Sequence, residues 1–381
     1  MSPQSQSTQA GQSAAPAVSD LRIAVVSDAA PERNGVGAYY RDLIDCLLPR
    51  VAAARIFSPV IEDGVWRAGL VFPMPSDETQ RLCVPNPFSL RRELDRLQPH
   101  VVIIPTPGVY GMAGAFMASR AGFPVIASFH TSFEHLSELY WQGSLTGRIF
   151  TGYLEKTNSY LFRLSRRIIV NSDDMYDIAK KMGGEHVRRV GTPVPVAFSR
   201  EPVTPHKGSL EKIIFAGRLA AEKHIESVIA LAEAMPGISV SVVGDGQQRG
   251  VVEAAAARLP NFAYLGWLSR EALRDEIDRH DMLVLPSHFE SFGTIALEAM
   301  SRQRLVAVSR GCGISNWPEL TESLFVFGEG ESLTDAVGRA SKLSAEQRRV
   351  LARSGHEAAA AFDQRNLEDW ENLLVEVGSG G

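Results

Sequence analysis

Along the chain, short apolar β-branched runs alternate with longer stretches in which apolar residues recur every three or four positions. This is the pattern of strands alternating with helices around a parallel sheet. The first run is Leu21-Arg22-Ile23-Ala24-Val25-Val26-Ser27-Asp28, and its mostly apolar character predicts a strand buried on both faces. A glycine loop, Asn34-Gly35-Val36-Gly37, follows, and then a helical spacing through Tyr40, Leu43, Ile44 and Leu47. Further strands are predicted at Val101–Ile104, Val125–Phe129 and Ile168–Val170. Helices are predicted between them, around Leu90–Leu97, Ala113–Ala121 and Tyr153–Leu164. Strand, glycine loop and helix in this order open a doubly wound α/β domain.

The periodicity breaks over Gly191–Gly208, which holds Pro193, Pro195, Pro202 and Pro205 and reads as an interdomain linker. A second series then predicts strands at Lys212–Ala216, Ser239–Val243, Phe262–Leu265, Met282–Pro286 and Leu305–Val308. Its helices are expected at Ile225–Ala234, Arg249–Arg258, Arg270–Arg279 and Thr294–Ser301. The expected fold class is α/β, with Rossmann-like domains over residues 21–197 and 198–361 facing each other across a cleft. Ligands bind at the C-terminal strand ends of such sheets. The last stretch, 362–381, is amphipathic, with Leu367, Trp370, Leu373 and Leu374 on one side. It either closes the second domain or crosses back to the first.

Composition narrows the class. A length of 381 residues suits two domains. The net charge of −5 argues against a dedicated nucleic-acid binder. Cys46, Cys83 and Cys312 show neither CxxC spacing nor metal-spaced histidines, as expected of a cytoplasmic protein without a disulfide framework. Residues 1–19 lack the charged and apolar regions of a secretory signal, and the Ser-, Gln-, Ala- and Pro-rich tail over 1–20 is expected to be disordered. No apolar run reaches the ~18 residues that a membrane span requires.

Four segments carry candidate chemistry. In Ser287-His288-Phe289-Glu290-Ser291-Phe292-Gly293-Thr294, a strand ends and a helix opens, offering free amides to an anion. Glu298 lies inside that helix, and two carboxylates so spaced can serve two different ligand hydroxyls; incidental surface acids are the alternative. In Phe215-Ala216-Gly217-Arg218, with Lys223 beyond, two cations stand at the sheet mouth, where a diphosphate would sit. A solvated pair with Glu222 is the alternative there. Gly35-Val36-Gly37 does not complete a dinucleotide GxGxxG, since Tyr40 takes the last position. His130 ends a first-domain strand and is either structural or directed at the cleft. Gly244-Asp245-Gly246 offers one more loop for close backbone approach.

Taken in order, these segments resemble the signature of retaining GT-B glycosyltransferases of family four. The resemblance rests on Gly35-Val36-Gly37, Val170-Asn171-Ser172, Phe215-Ala216-Gly217-Arg218 with Lys223, Val243-Gly244-Asp245-Gly246, and Glu290 spaced from Glu298-Ala299-Met300 with Phe292-Gly293 between. It implies a UDP-sugar or GDP-mannose donor. Arg218 and Lys223 would hold the diphosphate, and Glu298 the ribose. Phe292, Gly293 and Thr294 would give backbone amides, and Glu290 would reach the hexose. Gly35 to Gly37 would close over the diphosphate, His130 would contact the sugar or the reacting centre, and the base would lie near Gly244 and Gly266. No metal or other cofactor is expected, since the cations are side chains and no Asp-x-Asp is placed for Mg²⁺. One departure stands out. The Gly-Gly-x-x-Glu of similar enzymes reads Gly311-Cys312-Gly313-Ile314-Ser315-Asn316-Trp317-Pro318-Glu319 here, leaving Glu319 without an evident role.

The acceptor is expected to be a hydroxyl. The aromatic segment Thr131–Trp141, followed by Arg148, Lys156, Arg163, Arg166 and Arg167, suits a membrane glycerolipid acceptor and peripheral contact with the inner face of an anionic bilayer. A buried helix face with a small soluble sugar or polyol acceptor is the alternative. An epimerase, a phosphorylase or a non-catalytic nucleotide-sugar binder on the same fold are the rivals.

Overall fold

A computed structural model describes residues 16–30, 35–62, 65–74, 77–130, 145–328 and 330–379. The first half opens with β1 (Arg22–Val26), α1 (Gly35–Leu47) and β2 (Ala53–Phe57). Two hairpins follow, β3 (Val60–Glu62) with β4 (Val65–Arg67) and β5 (Leu70–Met74) with β6 (Asp77–Val84). Then come α2 (Pro87–Leu97), β7 (Val101–Ile104), α3 (Val109–Ala121), β8 (Val125–Ser128), α4 (Leu145–Leu164), β9 (Arg167–Val170), α5 (Asp173–Lys181) and β10 (Val187–Arg189). The sheet order is β10-β9-β8-β7-β1-β2, parallel throughout. Every residue of β7 and β8 is buried, which is why both are uninterrupted apolar runs.

After the short α6 (Val196–Ser199), the second half runs β11 (Lys212–Ala216), α7 (Ile225–Ala234), β12 (Ser239–Val243), α8 (Arg249–Arg258), β13 (Phe262–Gly266) and α9 (Arg270–Asp278). It continues with β14 (Met282–Leu285), α10 (Thr294–Ser301), β15 (Leu305–Ser309), α11 (Pro318–Thr321), β16 (Phe325–Phe327), α12 (Leu333–Lys342) and α13 (Ala345–Gly378). Its sheet order is β13-β12-β11-β14-β15-β16, again parallel.

Strands β2, β10 and β16 and both hairpins lie outside the predicted set. In the first sheet, β2 and β10 are the outermost strands, half-buried and carrying arginines. Charge on an edge discourages pairing with other chains but erases the apolar run. The closing helix α13 starts at Ala345 rather than Phe362. Ser344 caps it, with Gln347 completing the capping box. Its early turns pack on α10 and α11. Its last turns place Trp370, Leu373, Leu374 and Val377 in the core of the first sheet, with Ile23, Val25 and Leu43. Trp370 Nε1 donates to Tyr39 Oη at 3.2 Å, and that hydroxyl donates to the Gly191 carbonyl at 3.2 Å. At the N-terminus, Val18–Asp20 form a 3-10 turn, so the expectation of unstructured chain as far as residue 20 fails there; residues 1–15 lie outside the described residues.

Candidate active site

On the second domain, the loops after β11 and β12 touch backbone to backbone. A Cβ at Gly244 would stand 1.8 Å from the Gly217 carbonyl oxygen, so glycine is required there. Asp245 is exposed and accepts the Gly246 amide at 2.9 Å. Gly266 ends β13 with φ 70°. Arg218 stands half-exposed at the mouth, and its Nη2 donates to buried Glu222 at 2.6 Å. The two readings of this cation meet: it is paired, and it still faces the solvent. Lys223, by contrast, is largely buried and ion-paired with Glu290.

The Glu290 loop is zipped to the segment after β15. The Glu290 amide donates to the Gly311 carbonyl at 2.8 Å, and the Gly313 amide donates to the Glu290 carbonyl at 2.8 Å. A Cβ at Gly311 would meet the His288 carbonyl oxygen at 2.2 Å, and one at Gly313 the Ser291 carbonyl oxygen at 2.0 Å. Gly-Cys-Gly therefore lets two backbones meet. Cys312 between them is buried, and burial pushes its thiol up to about 12. Glu319 lies apart from this on α11, at the surface, 3.3 Å from Arg365.

Gly293 caps α10 with φ 96°, a left-handed conformation that favours glycine. The first amides of α10 have no intrahelical acceptors and carry the positive end of its dipole. The Phe292 ring is buried against Phe362 and Trp317, so this residue can offer a ligand only its backbone. Thr294 is partly exposed at the helix start.

Glu298 is 2% exposed, and its Oε1 accepts from Arg270 Nη1 at 2.9 Å. Burial raises its carboxyl and Arg270 opposes the rise. Among the described residues, its Oε2 has no hydrogen-bond partner. The other arm of Arg270 pairs with Asp42 on α1 of the first domain. The sequence drew attention to neither Arg270 nor Asp42.

On the first domain, Gly35, Val36 and Gly37 form the first turn of α1 rather than a loop. A Cβ at Gly37 would come 2.7 Å from the Ala30 carbonyl oxygen, so glycine lets the helix start against the preceding chain. What the segment offers a ligand is helix N-terminal amides; Asn34 lies outside the described residues. His130 follows β8 and is 8% exposed. Its Nε2 lies 2.9 Å from Ser128 Oγ and 3.1 Å from Tyr40 Oη. Burial lowers its imidazole to about 4, so it is neutral at neutral pH and suits hydrogen bonding rather than charge.

The segment 131–141, on which the lipid expectation leans, lies outside the described residues. Two of its accompanying cations are turned to other use. Arg166 donates to the Val377 carbonyl and Arg167 pairs with Glu376, tying β9 to α13. Lys156 and Arg163 remain exposed on α4 with Tyr153 and Tyr160. Among the described residues, no helix is long and apolar enough to cross a membrane. Among them, too, no group of three or more His, Cys, Asp or Glu could hold a metal ion.

Two parallel-sheet domains joined by the Arg270–Asp42 pair, with cations, helix amides and a buried carboxylate on the second, have the architecture of a GT-B enzyme acting on a nucleotide-bound substrate. Residues 199–357 match the family model described as Glycosyl transferases group 1, and residues 33–198 that of Glycosyltransferase Family 4. The chain belongs to this family and is a glycosyltransferase that uses nucleotide sugars. A GDP-mannose-dependent alpha-mannosyltransferase of Mycobacterium tuberculosis is 26% identical over 361 residues, 88% of this chain and 93% of its own. The sulfoquinovosyl transferase SQD2 of Arabidopsis thaliana is 24% identical, over 77% of this chain and 60% of its own. Among solved structures, sucrose-phosphate synthase from Thermosynechococcus elongatus superposes with a TM-score of 0.68 at 16% identity, over 94% of this chain and 99% of that one. Anabaena HepE in complex with UDP and glucose gives 0.65 at 15% identity, over 92% and 99%.

Proposed function

We propose that the protein transfers mannose from GDP-mannose, with retention, to a hydroxyl acceptor. The observation that carries the donor site is Glu298, a buried carboxylate one turn inside α10, with one oxygen held by Arg270 and the other without a hydrogen-bond partner among the described residues. A ribose diol supplies the two donors that such a carboxylate accepts. Arg218, Lys223 and the amides of Gly293 and Thr294 hold the diphosphate and stabilise its departing charge. Glu290, kept in place by Lys223 and the Gly-Cys-Gly segment, meets the sugar hydroxyls. His130, neutral, hydrogen-bonds the sugar from the first domain. The bond from C1 to the phosphate oxygen breaks as the acceptor oxygen bonds C1 on the same face, and the acceptor proton passes to the leaving phosphate. The choice of GDP-mannose follows the relatives so named that span most of the chain.

A thermal-shift screen of nucleotide sugars tests the donor, because a ligand of the folded state raises the melting temperature. GDP-mannose should give the largest shift, and proton NMR of the product should show an α-linkage. A larger shift with UDP-glucose would reassign the base, and a β-linked product would end the retaining reading. Since side chains and amides supply the positive charge, turnover should survive EDTA. Loss on chelation, restored by Mg²⁺ or Mn²⁺, would contradict this site. For the acceptor, exposed Tyr153, Lys156, Tyr160 and Arg163 on α4 favour a membrane glycerolipid. Co-sedimentation with anionic liposomes at low salt is the expected result; a protein that stays in the supernatant and glycosylates only soluble sugars or polyols would remove the lipid.

A further inference from the structure

Three side chains far apart in the sequence form one line of charge across the junction between the domains. Glu298 belongs to α10, Arg270 opens α9, and Asp42 lies on α1 of the other domain. Arg270 gives Nη1 to Glu298 and Nη2 to Asp42. The side chains of the two carboxylates are only 2% and 10% exposed. Among the described residues, Asp42 has no other hydrogen-bond or ion-pair partner.

A buried carboxylate without a counter-charge is strongly unfavourable, and a single guanidinium here relieves two of them. Its planar fork sets both directions at once, which a lysine ammonium on a flexible stem does not. With Oε1 fixed by Arg270, Oε2 of Glu298 is held at one orientation. The first domain enters through Asp42, on the helix that also carries Tyr39 and Tyr40 beside His130. If the domains part, Arg270 keeps Glu298 but loses its second anchor.

We propose that Arg270 is a positioning residue that fixes Glu298 for the donor and, by its bond to Asp42, makes donor affinity depend on the contact between the two domains. The proposal rests on the reading that Glu298 binds the donor ribose. Coupling of this kind is reciprocal: donor on Glu298 steadies Arg270 for Asp42, as Asp42 steadies Arg270 for the donor.

Calorimetric titration with GDP-mannose, and with UDP-glucose in parallel, tests it on the full chain and on D42A, R270A, R270K, D42A/R270A and E298Q. Asp42→Ala should weaken binding by about fivefold or more, the lower range of site-to-site coupling, and raise the donor KM more than it lowers kcat. Arg270→Ala should weaken binding by about tenfold or more, as loss of one partner from a buried charge pair does. Arg270→Lys should fall between R270A and the wild type. The double variant should bind no worse than R270A, because both substitutions break the same bond. Wild-type affinity in D42A, or penalties that add in the double variant, would overturn the proposal. Should D42A unfold, the near-isosteric D42N takes its place and carries the same two outcomes at smaller amplitude. The underlying reading fails separately: wild-type affinity in E298Q, or no binding of either donor by the unaltered chain, removes Glu298 as the donor carboxylate and the proposal with it.

Discussion

Three charged groups at the donor rim are already matched by a counter-charge within the protein. Arg218 has Glu222, Lys223 has Glu290, and Glu298 has Arg270. A diphosphate arriving there competes for cations held in place rather than recruiting loose ones, which favours preorganised stabilisation of developing charge. Arg218→Ala or Lys223→Ala should therefore lower turnover by about 10²-fold or more. Steady-state rates with saturating donor check this, and near-normal rates in both variants would remove the clamp. His130 makes a different prediction. In the unfolded chain its imidazole takes a proton below 6.5, and in the folded protein only below about 4. Its contribution to stability is complete above 6.5 and is lost as pH falls through that window. The loss is on the order of 3 kcal/mol by pH 4. Urea titrations from pH 7 to 4 should show a shallower decline for His130→Asn than for the wild type; parallel declines would mean that the folded imidazole titrates normally. Arg218, Lys223, Glu290 and Glu298 were visible in the sequence because each stands just past a strand end or in the helix that follows. Arg270 and Asp42 were not, since they meet across a separation of 228 residues and each looks locally like an ordinary charge on an amphipathic helix.

Elements that lie in the middle of each sheet, such as β7, β8 and β14, announce themselves as unbroken apolar runs because neither face meets water. Edge elements do not. Val187-Arg188-Arg189 of β10 pairs on one side only and spends its arginines on ion pairs with Asp369, Glu376 and Asp173, so nothing in its composition marks a strand. The start of α13 was legible in principle, because Ser344 followed by Gln347 is a capping box. The alanine-rich turns behind it, however, lack a strong apolar stripe. Fold and site are joined most tightly where the Glu290 loop meets Gly311–Gly313. Gly313→Ala would force a methyl group into the Ser291 carbonyl, and a misfit of this kind costs about 1–3 kcal/mol. A lower melting temperature and reduced turnover are expected, since the displaced loop carries Glu290. Gly237→Ala is the control, for a Cβ there meets nothing within 4 Å. Equal behaviour of the two variants would show that the zipped loop tolerates the intrusion.

At the scale of the whole molecule, the two domains are stitched at several points. Besides Arg270 and Asp42, Trp317 Nε1 donates to the Asn171 carbonyl at 3.2 Å, and Arg189 lies 4.1 Å above the Trp317 ring. The strongest stitch is α13, whose last turns complete the core of the first sheet with Trp370 at 0% exposure. That arrangement bears on how the protein is made. On the ribosome the first domain emerges early, yet one wall of its core is encoded beyond the whole second domain. Domains otherwise tend to fold in order of emergence. Here the nascent first domain must wait, with the seat of Trp370 and Leu373 open, until α13 has emerged. Residues 1–197 expressed alone should therefore be aggregation-prone and bind a hydrophobic dye. Co-expression of the remainder, 198–381, should recover a soluble complex, whereas the same partner ending at residue 361 should not. A soluble, dye-silent 1–197 fragment would mean that the first domain closes its own core without α13.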